Sequence, residues 1–174
     1  MAIYYGDGSN SSSGRIVQVQ QTVDRGTASK TGTTPTQIGS LAVAITPKSS
    51  SNKLLIQVDL KLGSTSSSPE PMIRLLRSVS GGSTDYVYSG NAAGNRALVM
   101  FGGDEFHANN AEWELIQVAG TYLDDAQSTS SHTYRLYWNR VYTDTLYLNR
   151  TAQDNNGPAL PRAASSITVM EVAA

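Results

Sequence analysis

The sequence predicts an all-β domain of about nine short strands, arranged as a sandwich or a barrel. Three observations carry this. Apolar residues recur with a period of two, as on a pleated strand with one buried face. No stretch of twelve residues shows clean helical periodicity. Clusters of Ser, Thr, Gly and Asn punctuate the apolar runs at the spacing of successive strands and turns.

The first run, 15–23, is rich in Gln and Val. Leu41, Val43 and Ile45 then alternate with small residues. Segment 53–62 is the clearest strand: Leu54, Ile56, Val58, Leu60 and Leu62 face one way, and Lys53, Leu55, Gln57, Asp59 and Lys61 the other. Residues 47–52 form a polar turn that would join these two strands as a hairpin. Segment 72–79 is apolar with Arg74 and Arg77 interleaved, and 113–122 carries Trp113, Leu115, Val118 and Tyr122. Both are apolar on two faces, as in central strands or strands at a subunit contact. Segment 96–101 is a short run, and 104–114 has room for one helical turn. Segment 133–142 sets Tyr134, Leu136 and Trp138 against Arg135, Tyr137 and Asn139. After a brief run at 145–149, segment 166–172 closes the chain, with Ile167, Val169 and Glu171 opposite Thr168, Met170 and Val172. Breakers fall at 63–69, 80–83, 89–91, 102–104 and 154–158.

The chain has 174 residues, the size of one domain, and only 16% of them are charged, against about 25% in an average protein. Neutral polar residues make up the difference, so the domain is expected to fold with an unusually neutral surface. The net charge of −1 gives no attraction to nucleic acid or to an anionic membrane. Cysteine is absent, which excludes disulfides, thiolate metal sites and a Cys nucleophile. The chain must therefore hold by packing alone, and association between subunits is an added source of burial. The N-terminus has neither a basic start nor an apolar run, and no window approaches the ~20 apolar residues of a helical span. The expectation is a soluble protein made in a cytoplasm, with no membrane insertion and no export by a secretory signal.

Candidate chemistry is sparse. His107 and His132 are isolated and read as exposed loop histidines. Asp124-Asp125 reads as a polar turn, and Asp154-Asn155-Asn156-Gly157 as a tight turn lacking calcium-loop spacing. Asp104-Glu105 and Glu112/Glu114 are the remaining acidic clusters, and nothing places two of them across a cleft. No nucleophile elbow, phosphate loop or zinc helix is present, so the expectation is no enzyme, no metal and no cofactor. Two sites fit the glycosylation pattern, Asn10 and Asn149, and carry no meaning without a secretion signal. Nine Tyr and two Trp stand against two Phe, and Tyr134, Tyr137, Trp138, Tyr142 and Tyr147 fall close together. Amphipathic rings of this kind suit a core, a subunit interface or a sugar-binding face.

Three segments carry a family likeness. The opening, Met1-Ala2-Ile3-Tyr4-Tyr5-Gly6-Asp7-Gly8-Ser9-Asn10 on to Ser13-Gly14-Arg15-Ile16-Val17-Gln18-Val19, is one. The middle, Ile45-Thr46-Pro47-Lys48-Ser49-Ser50-Ser51-Asn52-Lys53, is another. The third is Leu146-Tyr147-Leu148-Asn149-Arg150-Thr151 with Ala164-Ser165-Ser166-Ile167-Thr168-Val169-Met170-Glu171-Val172. Together they resemble the small virion structural and appendage proteins of marine tailed phages and cyanophages. The resemblance implies an antiparallel, jelly-roll-like β-sandwich, commonly trimeric, located in the virion. The expected organisation is an N-terminal arm or attachment segment at 1–14 and one sandwich domain at 15–174. The expected role is a homotrimeric capsid decoration or cement protein, or a similar small appendage, with itself and other virion proteins as partners. The alternative is a tail-fibre tip that binds a host surface glycan. The expected subunit contacts are Tyr4, Tyr5, Tyr134, Trp138 and Tyr147. The expected host-facing loop residues are Asn91, Asn95, His107, Asn109 and Asn155.

Overall fold

The computed structural model describes residues 3–4, 10–11, 13–67, 70–103, 111–141 and 144–174. Strands follow one another along the chain as β1 (Ile3–Tyr4), β2 (Asn10–Ser11), β3 (Ile16–Asp24), β4 (Ala28–Lys30), β5 (Thr36–Ile45), β6 (Lys53–Ser64) and β7 (Pro71–Val79). They continue as β8 (Thr84–Val87), β9 (Phe101–Gly102), β10 (Ile116–Asp125), β11 (His132–Arg140), β12 (Leu146–Leu148) and β13 (Ser165–Val172). A 3-10 turn at Ala111–Trp113 precedes β10, within the stretch expected to hold a helical turn.

Two antiparallel sheets enclose the core, as the alternation requires. In the first, the order across the long strands is β3-β13-β6-β10; in the second it is β5-β11-β7-β8. The pairing is nested. β3 pairs with β13, β5 with β11, β6 with β10 and β7 with β8, so early strands meet late ones and the middle two meet each other. Contacts of β13 with β6 and of β11 with β7 join these pairs into sheets. Short strands complete the edges: β12 continues from β13 along β6 and carries β4, and β9 pairs with the start of β7. β1 and β2 form their own antiparallel pair.

Alternation sets the core directly. From the first sheet Leu54, Ile56, Val58, Leu60, Leu62, Val118, Ile167 and Val169 point inward and are buried. From the second come Ile38, Leu41, Val43, Ile45, Ile73, Leu75, Tyr134, Leu136 and Trp138. Each such side chain contributes about 1.5–3 kcal/mol through burial. The phase slips once, between Ile38 and Leu41, where the β5–β11 register also shifts. Gly39, at φ +47°, lies in the irregular stretch, and the Asp24 carboxylate accepts the Ser40 N–H at 2.7 Å.

One expectation about topology is corrected. β5 and β6 do not form a hairpin: the 47–52 turn carries the chain from one sheet to the other, and each strand finds partners far away in sequence. The turn is stitched instead by Glu171, which accepts hydrogen bonds from Lys48 N and Asn52 Nδ2. Of the two strands expected to be central or at a subunit contact, β7 is central, and β10 lies at the edge of its sheet, paired with β6 and with no other strand among the described residues. Tyr122, on its inner side, is covered by Tyr88, whose ring stacks on it at 5.3 Å.

Candidate functional site

The richest polar cluster lies between the two sheets at one end of the sandwich. Continuing the inward set of β7 from Ile73 and Leu75 turns Arg77 inward. Continuing β11 back from Leu136 and Tyr134 turns His132 inward, and continuing β10 from Val118 turns Asp124 inward. Arg77 and Tyr134 sit directly opposite one another across β7 and β11.

These side chains form a linked network. Arg77 Nη1 donates to both Asp124 oxygens, at 2.9 and 3.0 Å, and Arg77 Nη2 lies 3.5 Å from Asp85 Oδ2. The Tyr134 hydroxyl donates to Asp124 Oδ2 at 2.8 Å, and the Asp125 N–H donates to Asp124 Oδ1 at 2.9 Å. Asp124 is 5% exposed and the Arg77 side chain 16%, so this is a nearly dry ion pair. Burial works against the Arg77 charge, but the Asp124 carboxylate outweighs it and holds the guanidinium pKa above its ordinary value. Burial, reinforced by the same carboxylate, pushes the Tyr134 phenol far up, so its proton stays in place as a donor. Tyr122 is pushed up for the same two reasons. Removing one member of such a pair strands the other, at a cost of about 3–5 kcal/mol.

Above this floor is a cavity of about 310 Å³. The β7–β8 turn forms one wall and the β10–β11 turn the other, with Val79 and His132 from the strands. The walls are tied together, since Ser80 N–H donates to Ser131 O at 2.9 Å. His132 is 1% exposed, and its Nδ1 lies 2.9 Å from Ser130 O. A carbonyl oxygen only accepts, so Nδ1 carries the hydrogen, and in the Nδ1–H tautomer Nε2 is an acceptor. Among the described residues no group of three or more His, Asp or Glu is placed to hold a metal ion.

This arrangement corrects two readings. His132 is an interior strand residue, and Asp124 is the buried partner of Arg77, because the strands extend further than the polar residues at their ends suggested. Tyr134 and Trp138, expected at a subunit contact, are buried between the sheets of a single chain, because both fall on the inward phase of β11. Tyr147 is half-buried on β12 beneath the Arg150 guanidinium, 3.7 Å from its ring centre. Tyr4 lies in β1, where only the strand itself is described; Tyr5, His107 and Asn109 lie outside the described residues. Asn91, Asn95 and Asn155 are exposed but are not brought together. Asn95 borders one depression with Arg96, and Asn155 another with Asp154 and Arg162. Asn149 is buried and donates to Asp24 O and Gly26 O, so it is a structural residue and no acceptor for a glycan.

The outer face of the first sheet carries a second feature. Val19, Met170, Leu55 and Leu123 are in register across β3, β13, β6 and β10. They form an apolar row from edge to edge, with Val19 51% and Leu123 55% exposed. The adjacent row is polar: Gln21, Thr168, Gln57 and Thr121. No protein-family model matches the chain, and no curated protein matches it.

Proposed function

We propose that this chain is a non-enzymatic structural protein of a phage particle: a jelly-roll subunit that assembles as a homotrimer on the particle surface. A capsid decoration or cement protein, or a similar small appendage, is the role that fits best. The nested pairing supports the jelly-roll reading, since it is the order produced when one long antiparallel ladder of four strand pairs rolls into two facing sheets. That architecture is widespread in capsid and lectin domains. The likeness of three segments to phage virion proteins supports the setting.

The observation that carries the assembly reading is the apolar row on the outer face. An apolar row aligned across four strands, exposed at Val19 and Leu123 and half-buried at Met170 and Leu55, is unusual on a monomer and marks a contact surface. The row ends at Val19 on one sheet edge and Leu123 on the other. One copy's edge can therefore meet the opposite edge of the next, a head-to-tail contact that closes into a ring. The pairing also covers strand edges that would otherwise template aggregation.

Two measurements test this. Sedimentation of the purified chain at micromolar concentration is expected to give a trimer, and Leu123→Lys is expected to give a folded monomer. A stable wild-type monomer would refute the assembly. Gold-labelled antibody on intact particles is expected to decorate the head; label confined to the tail would overturn the decoration role in favour of a fibre tip.

A further inference from the structure

We propose that the cavity at the mouth of the sandwich is a binding site for a small neutral polyol, of the size of a single sugar ring. This goes beyond the assembly reading and does not depend on it. The volume of about 310 Å³ sits at the lower end of the range for small-molecule sites, roughly 300–1,000 Å³. Its two walls are held in place by backbone bonds within and between the turns: Val79 N–H to Ser83 O at 2.9 Å, Gly82 N–H to Val79 O at 2.9 Å, and Ser80 N–H to Ser131 O at 2.9 Å. The site is thus formed before a ligand arrives, which lowers the entropic cost of binding.

The chemistry of the lining selects the ligand class. Ser80, Ser83 and Ser130 line the cavity, and a serine hydroxyl is both a donor and an acceptor. His132 is almost wholly buried and presents an acceptor nitrogen, its other nitrogen being tied to Ser130 O. Arg77 lines the floor as a cation already held by Asp124. A set of donors and acceptors of both senses matches a ring of hydroxyl groups. The charges argue against an anion: Arg77 brings one positive charge, and Asp124 and Asp85 bring two negative ones against it. No Phe, Tyr or Trp lines the cavity, so the large stacking surface that a planar aromatic ligand favours is missing, while Val79 and Ala126 offer a small apolar floor for C–H groups.

The experiment is a titration of the isotope-labelled full chain with glucose, galactose and mannose, and separately with phosphate and glucuronate, followed by amide chemical shifts. The expected result is saturable, millimolar binding of at least one neutral sugar, with shifts confined to 80–83 and 126–132. His132→Phe removes the acceptor and is expected to weaken binding roughly tenfold, the effect of one lost buried hydrogen bond. Should His132→Phe fail to fold, Ser80→Trp at the exposed rim keeps the test open by blocking the mouth, and is expected to abolish the shifts while leaving the thermal melt unchanged. Saturable shifts from phosphate or glucuronate alone would overturn the proposal, as would saturation at residues elsewhere or no saturation by any compound. None of these outcomes bears on the sedimentation result, so this site and the assembly can fail separately.

Discussion

Glu171 shows how a single buried charge holds two remote segments. It occupies an inward position of β13, one step beyond Ile167 and Val169, where the pattern would suit an apolar residue. It is tolerated because its carboxylate accepts from Gln18 Nε2, Lys48 N and Asn52 Nδ2 at 2.6–2.7 Å, with Ser49 N further off at 3.4 Å. Burial alone would raise its pKa, but these donors more than offset it and hold the pKa below the ordinary glutamate value. Asp24 behaves the same way: burial raises, and the hydrogen bonds from Ser40 and Gly26 lower by more. Both groups therefore favour the folded state at neutral pH. Their contribution is complete above the unfolded values, about 4.3 for Glu and 3.9 for Asp, and is lost as pH falls through the lower folded values. Urea midpoints are expected to decline below about pH 4, and a midpoint constant through that range would refute the account. Glu171→Ala strands the Asn52 amide and should cost on the order of 3 kcal/mol in urea unfolding, with Glu171→Gln costing less.

At the scale of the element, β6 is the spine of its sheet. It pairs with β10 along one side and with β13 and then β12 along the other. The handover passes Gly63, where a Cβ would collide with the Arg150 carbonyl oxygen and press on the Thr151 backbone. Those neighbours are main chain and cannot swing away. Gly63→Ala is expected to lower stability by about 1–3 kcal/mol, as over-packing does. Gly90, in the β8–β9 connection, is the contrast: its Cβ would meet nothing within 4 Å and its φ is not positive. Gly90→Ala is expected to be neutral or to raise stability by up to about 1 kcal/mol through the unfolded state. Paired thermal melts of the two variants decide this, and equal losses would contradict it.

At the scale of the molecule, nearly every strand pairing joins residues far apart in sequence, and the first long strand closes against the last. Such a ladder buries its core only when complete, so unfolding should be cooperative. If the subunit further buries its outer apolar row in a trimer, folding and assembly are linked by mass action. The melting temperature is then expected to rise with protein concentration over a hundredfold range, and Leu123→Lys to remove that dependence. A wild-type melting temperature independent of concentration would count against the trimer.

The sequence by itself determined the all-β class, the strong strands and the facing of their side chains. Period-two alternation reports which residues share a face, and Leu54 to Leu62 or Tyr134 to Trp138 could be placed inward from it alone. The same rule, carried two residues further along each strand, would have placed Arg77 and His132 on the inner face. The polar identity of His132 and Asp124 instead suggested loops and turns, and short strands such as β4 and β8 lack enough residues to show a period. Tertiary structure alone decided which strands pair, that β5 and β6 belong to opposite sheets, and that β10 lies at an edge. It also brought Arg77, Asp124 and His132 to one cavity and Val19, Met170, Leu55 and Leu123 into one row. The physical reason is range: alternation is written in neighbouring residues, whereas pairing and register are settled by contacts among segments that the chain itself keeps far apart.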